Sequence, residues 1–289
     1  DIESDTVSQA NHVPNVVCWQ FSDFDGELED DTGRVVLGEN GCTDVIQTFM
    51  DMLTTDLRFL DATIFAHNGG GYDTRFAKKY LNRRKFNLNV TYFSGRIYRM
   101  YVNKNRLKFL DSYMHMAKPA AELPKMWGLP ASTMKGDYPH MFNSVANMNY
   151  VGPMPDIKNW GLETKSTKAR EQIIAWHEKC VQENRTWDNR KELIEYCEMD
   201  VKILHDSLIA YRNMWLELDI DPLCFTTLSS TVMTAFRTKF LKPNSIYQEY
   251  PQHEYSIAEH AWLTCVEEKL GYKMKRGVDM TVKHTEMDK

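Results

Sequence analysis

The sequence is short of several features that would set its class at once. No Cys-x-x-Cys pair occurs; Cys18, Cys42, Cys180, Cys197, Cys224 and Cys265 are scattered along the chain. That scatter excludes a zinc ribbon and a dense disulfide framework. Reduced thiols in an intracellular compartment are the simplest reading, with the compartment itself left open. No apolar run approaches the length that a membrane-crossing helix needs. The opening Asp1-Ile2-Glu3-Ser4-Asp5 does not read as a secretory signal. An excess of positive charge is missing too. The net charge is −5, so bulk charge alone does not hold this chain on a nucleic acid, although local fields count for more than the sum. Internal repeats and low-complexity segments are absent.

What is present is enough for a folded core. The 289 residues, 43% hydrophobic and 12% aromatic, suit one large domain or two small ones. Residues 13–21 read as a strand after an opening Asp1-Ile2-Glu3 strand, with Asp25-Gly26 as a turn signal. Apolar positions 45, 46, 49, 50 and 53 have helical spacing. Residues 62–66 form a short strand-like run that ends at His67-Asn68-Gly69-Gly70-Gly71, a loop signal, and a helix resumes at Asp73. Strand-like runs follow at 90–93, 97–102 and 107–110, then a loop-rich stretch from Pro119 to about Pro155. Helices are expected over 166–183, 189–217, 226–241 and 256–270. Leu193, Cys197, Val201, Leu204, Leu208 and Tyr211 share one face of the 189–217 helix. Trp127, Trp160 and Trp176 read as core. This order of elements predicts an α/β layered domain.

Three fragments carry chemistry. On a strand, Asp1 and Glu3 point the same way, and two such carboxylates repel unless a cation lies between them. Oxygen ligands of this kind suit magnesium or manganese, although an acidic-x-acidic triplet alone is also an ordinary surface strand. Tyr196 and Asp200 stand one helical turn apart and share a face; taken alone they equally describe a buried tyrosine beside an exposed aspartate. In the run from Ala66 to Phe76, glycines let a backbone approach a ligand, Asn68 offers hydrogen bonds, and Tyr72 and Phe76 offer stacking surfaces. A simple N-cap is the alternative for Asp73. His67 and His140 lack a third ligand at zinc spacing and read as structural. The basic run Lys78 to Lys85 fits either a phosphate backbone or a solvated helix end.

In this order the fragments form a set. The sequence resembles the DEDD superfamily of exonucleases in its tyrosine-bearing form. More closely, it resembles the exonuclease domain of protein-primed family B DNA polymerases of phages, linear plasmids, Maverick/Polinton-type elements and related viruses. Asp1-Ile2-Glu3 resembles the first motif, His67-Asn68 through Asp73-Thr74-Arg75-Phe76 the second, and Tyr196-Cys197-Glu198-Met199-Asp200 the third. Leu110-Asp111-Ser112 resembles an Asp-Ser segment placed near single-stranded DNA. Met134 to His140 resembles the Lys-Gly motif of the protein-primed branch, and Gly136–Asn143 with Tyr150–Pro155 is most like the Polinton and viral subgroup. The likeness covers roughly residues 1–245. Ser4 stands where the family has threonine, and the strand residues that usually precede the first aspartate are not in this numbering. The first metal-binding strand is therefore read as incomplete, with a charged amino group beside Asp1. No Ser-Leu-Tyr-Pro palm segment and no palm turn of the Asp-x-Asp kind are seen. Residues 256–263 resemble the start of a connecting region, which favours a fragment of a polymerase over a free-standing nuclease.

The resemblance implies a ribonuclease H-like mixed sheet flanked by helices over 1–243, then a connecting region over 244–289 leading to a polymerase domain. It implies two Mg2+ or Mn2+ ions held by Asp1, Glu3, Asp73 and Asp200. Tyr196 would orient the attacking water and Lys135 would stabilise developing charge. Ser4, Asn68, Tyr72, Phe76 and Ser112 would hold single-stranded DNA or a frayed 3′ primer end. A polymerase half and a terminal protein primer are the implied partners, with no membrane. Two alternatives stay open: a catalytically silent nucleic-acid-binding or scaffold module of the same fold, and an RNA-directed exonuclease.

Overall fold

The computed structural model describes residues 1–5, 12–23, 30–242, 245 and 256–271. The expected turn at Asp25-Gly26 lies outside the described residues. Two compact units are present, Asp1–Lys239 and Phe240–Lys289.

The first unit opens with a three-stranded antiparallel sheet, β1 (Ile2–Asp5), β2 (Val13–Phe21) and β3 (Asp31–Val36), with β2 in the middle. Period-two alternation assigns the faces of β2. Val17 joins one core together with Ile2, while Val16 and Cys18 join another. Helix α1 (Val45–Thr55) follows, its amino end capped by the Asp44 carboxylate, which accepts from Gln47 N–H at 3.0 Å.

A four-stranded mixed sheet comes next: β4 (Thr63–Ala66), β5 (Leu88–Phe93), β6 (Arg96–Val102) and β7 (Leu107–Asp111), in the order β4-β7-β6-β5. Only β4 and β7 run parallel. Helix α2 (Asp73–Arg83) is the crossover between β4 and β5. The expected mixed sheet is thus present, and the antiparallel sheet accompanies it as a separate one. Ile2 and Val17 from the first sheet and Ile97, Met100, Val102, Leu107 and Phe109 from the second bury into one shared core with α1 and α2. Each such side chain, fully buried, contributes about 1.5–3 kcal/mol of transfer free energy.

The central stretch holds the short α3 (Leu123–Met126), several 3-10 turns and the two-residue strand β8 (Val151–Gly152), which pairs with β9 (Trp187–Asp188). Helix α4 (Thr167–Gln182) precedes α5 (Asn189–Leu216), the longest helix among the described residues. Leu193, Ile194 and Cys197 of α5 pack with Val16, Cys18, Trp160 and Trp187 in a second core. Further along, Ile203, Leu208 and Tyr211 pack on Met116 and Leu123 in a third. One helix therefore spans both layers and lies against β2.

The helix expected over 226–241 divides in two. Helix α6 (Leu228–Ala235) gives way to a π-helical turn over Phe236–Phe240. In the second unit, α7 (Ile257–Leu270) begins at a capping box of Ser256 and Glu259 and ends at Gly271, φ +70°. None of the described helices is long and apolar enough to cross a membrane.

Candidate metal-binding active site

The first strand meets the long helix at its carboxylates. Cys18 N–H donates to Asp1 O at 3.1 Å, and the Asp1 ammonium donates back to Cys18 O at 3.0 Å. With Ile2 turned into the core, Asp1 and Glu3 face α5. There the Cys197 thiol lies 3.8 Å from an Asp1 carboxylate oxygen. Asp200, one turn on, brings its own carboxylate into the group. Oxygens of Asp1, Glu3 and Asp200 lie within 4.8 Å of one another.

Three carboxylates at that distance are electrostatically expensive without a cation. Glu3 shows the strain: burial first, then Asp200, push its carboxyl up to about 7, while Lys135 and the terminal ammonium pull it down. Lys135 Nζ forms an ion pair with Asp200 Oδ2. The same ammonium lies 4.7 Å from the Tyr196 ring centroid, a cation–π distance. Asp200 Oδ1, in contrast, is buried and has no hydrogen-bond partner. A buried carboxylate oxygen left unsatisfied costs free energy, and a hard divalent cation is the ligand that oxygen donors of this kind accept. The residues present therefore fit a magnesium- or manganese-type ion.

Tyr196 is kept protonated. Burial, then the charges of Asp200 and Glu3, raise its phenol far above the ordinary range. His140 stands edge-on to that ring, centroids 5.3 Å apart, with Nδ1 3.9 Å from Glu3 Oε2. Partial burial and the nearby Lys135 lower its pKa.

Asp73 does not cap α2; Tyr72 holds the cap position. The Asp73 carboxylate instead accepts the Ile2 N–H at 3.0 Å, fastening α2 to β1. Its pKa is raised by burial, and the terminal ammonium opposes this. It stands beside the trio of Asp1, Glu3 and Asp200 and outside that close group.

The glycine loop is built by close approach. A Cβ on Gly70 would meet Ile97 O at 2.2 Å, so the loop lies flat on β6 only because that position is glycine. Gly70 N–H donates to Asp111 Oδ2 at 3.1 Å. Arg96 reaches the same carboxylate at 3.4 Å and also donates to Asn68 O at 3.0 Å. Asn68 itself takes the left-handed conformation, φ +61°. Asp111 and Arg96 thus hold the loop, and neither stood out as a site residue in the sequence. The signals were there: an aspartate within the Asp-Ser segment, and a cation just after the Ser94-Gly95 turn.

The other expected nucleic-acid contacts divide. Tyr72 and Phe76 lie together, ring centroids 5.1 Å apart, and the Tyr72 hydroxyl bonds Ser4 Oγ and His12 Nδ1. Ser112 is a correction. Its side chain is fully buried and its hydroxyl bonds His67 Nδ1 at 3.0 Å, so it orders the loop from beneath and does not meet solvent. His67 Nε2 donates to Lys118 O at 2.8 Å. With both ring nitrogens engaged, His67 is structural. Glu3, Tyr72, Asp73, Lys135, Tyr196 and Asp200 all line one groove of about 1100 Å³.

The model of the family "DNA polymerase type B, organellar and viral" matches residues 55–278. This chain belongs to that family. The resemblance to family B polymerases is thereby borne out, and the match takes in Asp73, Lys135, Tyr196 and Asp200. Relatives described as probable DNA polymerases come from three fungi among others. The chain is 31% identical to that of Ascobolus immersus over 48% of its own length and 12% of the relative's. For Neurospora intermedia the figures are 27%, 63% and 20%; for Podospora anserina they are 21%, 70% and 20%. The chain thus spans a fifth or less of the length of these three relatives. No solved structure matches it.

Proposed function

We propose that this type B polymerase domain is a metal-dependent 3′→5′ exonuclease that proofreads for a protein-primed polymerase, on a ribonuclease H-like fold. The observation that carries this reading is the approach of Asp1, Glu3 and Asp200 oxygens to within 4.8 Å of one another, with Asp200 Oδ1 buried and without a hydrogen-bond partner.

Asp1, Glu3 and Asp200 would hold one divalent ion, and Asp1 with Asp73 a second. Such ions, when bound, activate water and stabilise the attacking and leaving oxygens of a phosphodiester displacement. The protein's own groups supply the rest. Tyr196, protonated at any ordinary pH, donates a hydrogen bond to the attacking water. Lys135 meets the charge that develops on the phosphate, in a groove where such a contact is worth more than in water. Asn68, Tyr72 and Phe76 hold the 3′-terminal nucleotide by hydrogen bonding and stacking, with little sequence preference. The products are nucleoside 5′-monophosphates, and the substrate is a single-stranded or frayed DNA end.

The test is incubation of 5′-labelled single-stranded DNA with the protein and Mg2+ or Mn2+. Stepwise shortening from the 3′ end is expected, with Asp200→Ala inactive and still folded. DNA that stays intact with both metals overturns the reading. RNA of the same sequence, if shortened faster, reverses the substrate class.

A further inference from the structure

Between Asp73 and Asp111 the chain carries no acid. Residues 74–110 hold eleven lysines and arginines and no aspartate or glutamate, in a protein of net charge −5. The fold keeps this segment together as α2, β5, β6 and most of β7. Some of its cations are paired: Arg84 with Asp51 at 3.3 Å, Arg106 with Asp61, Arg96 with Asp111. Lys78, Lys79, Arg83, Lys85, Arg99 and Lys108 have no acidic partner among the described residues.

The β5–β6 turn, Ser94-Gly95, has φ of +49° and +76°, the primed geometry of tight hairpins. Its tip is tied to α2 on one side and to the glycine loop on the other. Arg75 donates to Gly95 O at 2.9 Å, and Arg96 donates to Asn68 O. On the tip, Tyr92 is 54% exposed and Phe93 69%. The Lys78 ammonium lies 6.0 Å from the Tyr92 ring centroid, and Tyr98 lies 6.3 Å from Phe93. Exposed rings beside unpaired cations offer stacking faces and phosphate counter-ions at the spacing of one strand. An acidic protein surface would use the cations and leave the rings idle.

We propose that the α2–β5–β6 surface, centred on Tyr92, Phe93 and Lys78, is a second nucleic-acid site. It takes the single strand several nucleotides upstream of the end that enters the carboxylate cluster. It rests on the exonuclease reading only for that polarity.

The test is fluorescence anisotropy with labelled oligothymidylates of about 12 and about 3 nucleotides, lengths set by the few bases that one stacking platform holds. EDTA is present so that binding is read without hydrolysis. Replacing both rings (Tyr92→Ala with Phe93→Ala) is expected to weaken the longer probe about tenfold or more and to leave the shorter one unchanged. Lys78→Ala is expected to flatten the plot of log affinity against log salt by about 0.7, whereas Lys158→Ala leaves it unchanged. The replaced rings are exposed, so thermal unfolding of the double variant should match wild type. Unchanged affinity for the longer probe overturns the proposal, as does an equal loss for both probes or a wild type that binds neither. A wild type that cuts no DNA yet loses affinity in the double variant sinks the exonuclease reading and leaves this site standing.

Discussion

Lys135 and Asp200, 65 residues apart, are ion-paired at the centre of the carboxylate group, and the pair uses only one of the two aspartate oxygens. The lysine is therefore a counter-ion that leaves Asp200 able to take a metal. Lys135→Met should lower the single-turnover cleavage rate by about 10²–10³, the effect of losing one charge-stabilising donor in a water-poor site. Mn2+ binding, followed by paramagnetic broadening, should persist. An unchanged rate would make Lys135 only a structural counter-ion.

Glu3 gives the apoprotein a pH signature. Burial and Asp200 push its folded pKa up to about 7 from an ordinary 4.5, so between those values the native state binds more protons than the unfolded one. Its contribution to stability is full below about 4.5 and is lost as pH rises through about 7. The loss is at most about 3 kcal/mol. In EDTA, Tm should fall over this window. Glu3→Gln should flatten the fall, and Mg2+ should reverse it by pairing with the ionised group. A Glu3→Gln profile identical to wild type would locate the titration elsewhere.

Much of this was legible in the sequence, because local rules decide it. Alternation in Val16-Val17-Cys18 assigned the faces of β2, and Asp44, Ser166, Asp188 and Ser256 are caps where helices begin. What was not legible depends on contacts between distant segments. Arg96 serves Asn68, 28 residues away, and Asp111, 15 away. Ser112 lies beneath the site because β7 is interior to its sheet. The π turn after Ala235 is a break that helical periodicity does not encode.

Gly70→Ala isolates the close approach of the loop to β6. A methyl group 2.2 Å from Ile97 O forces backbone apart, and cost in the range of overpacked cores, about 1–3 kcal/mol or more, is expected. Gly136→Ala, whose Cβ would meet nothing within 4 Å, is the control. Chemical denaturation should separate the two variants. Equal midpoints would show that the loop rides on β6 loosely.

His115 should give the opposite pH trend to Glu3, at a place remote from the carboxylates. It is buried, with Nε2 donating to Phe225 O at 3.1 Å and Nδ1 accepting from the Tyr211 hydroxyl at 3.2 Å. The neutral ring satisfies both bonds, with Nε2–H as donor and Nδ1 as acceptor. Burial lowers its pKa below the ordinary 6.5. The unfolded chain takes up a proton below that value and the native state does not. His115 thus supports the fold fully above about 6.5, and that support drains as pH falls. Histidine NMR titration should find this ring titrating below 6.5, and His115→Gln should remove the acid limb of the stability profile while lowering stability at pH 7.5. A ring that titrates near 6.5 in the folded protein would show that the Tyr211 and Phe225 bonds do not hold it.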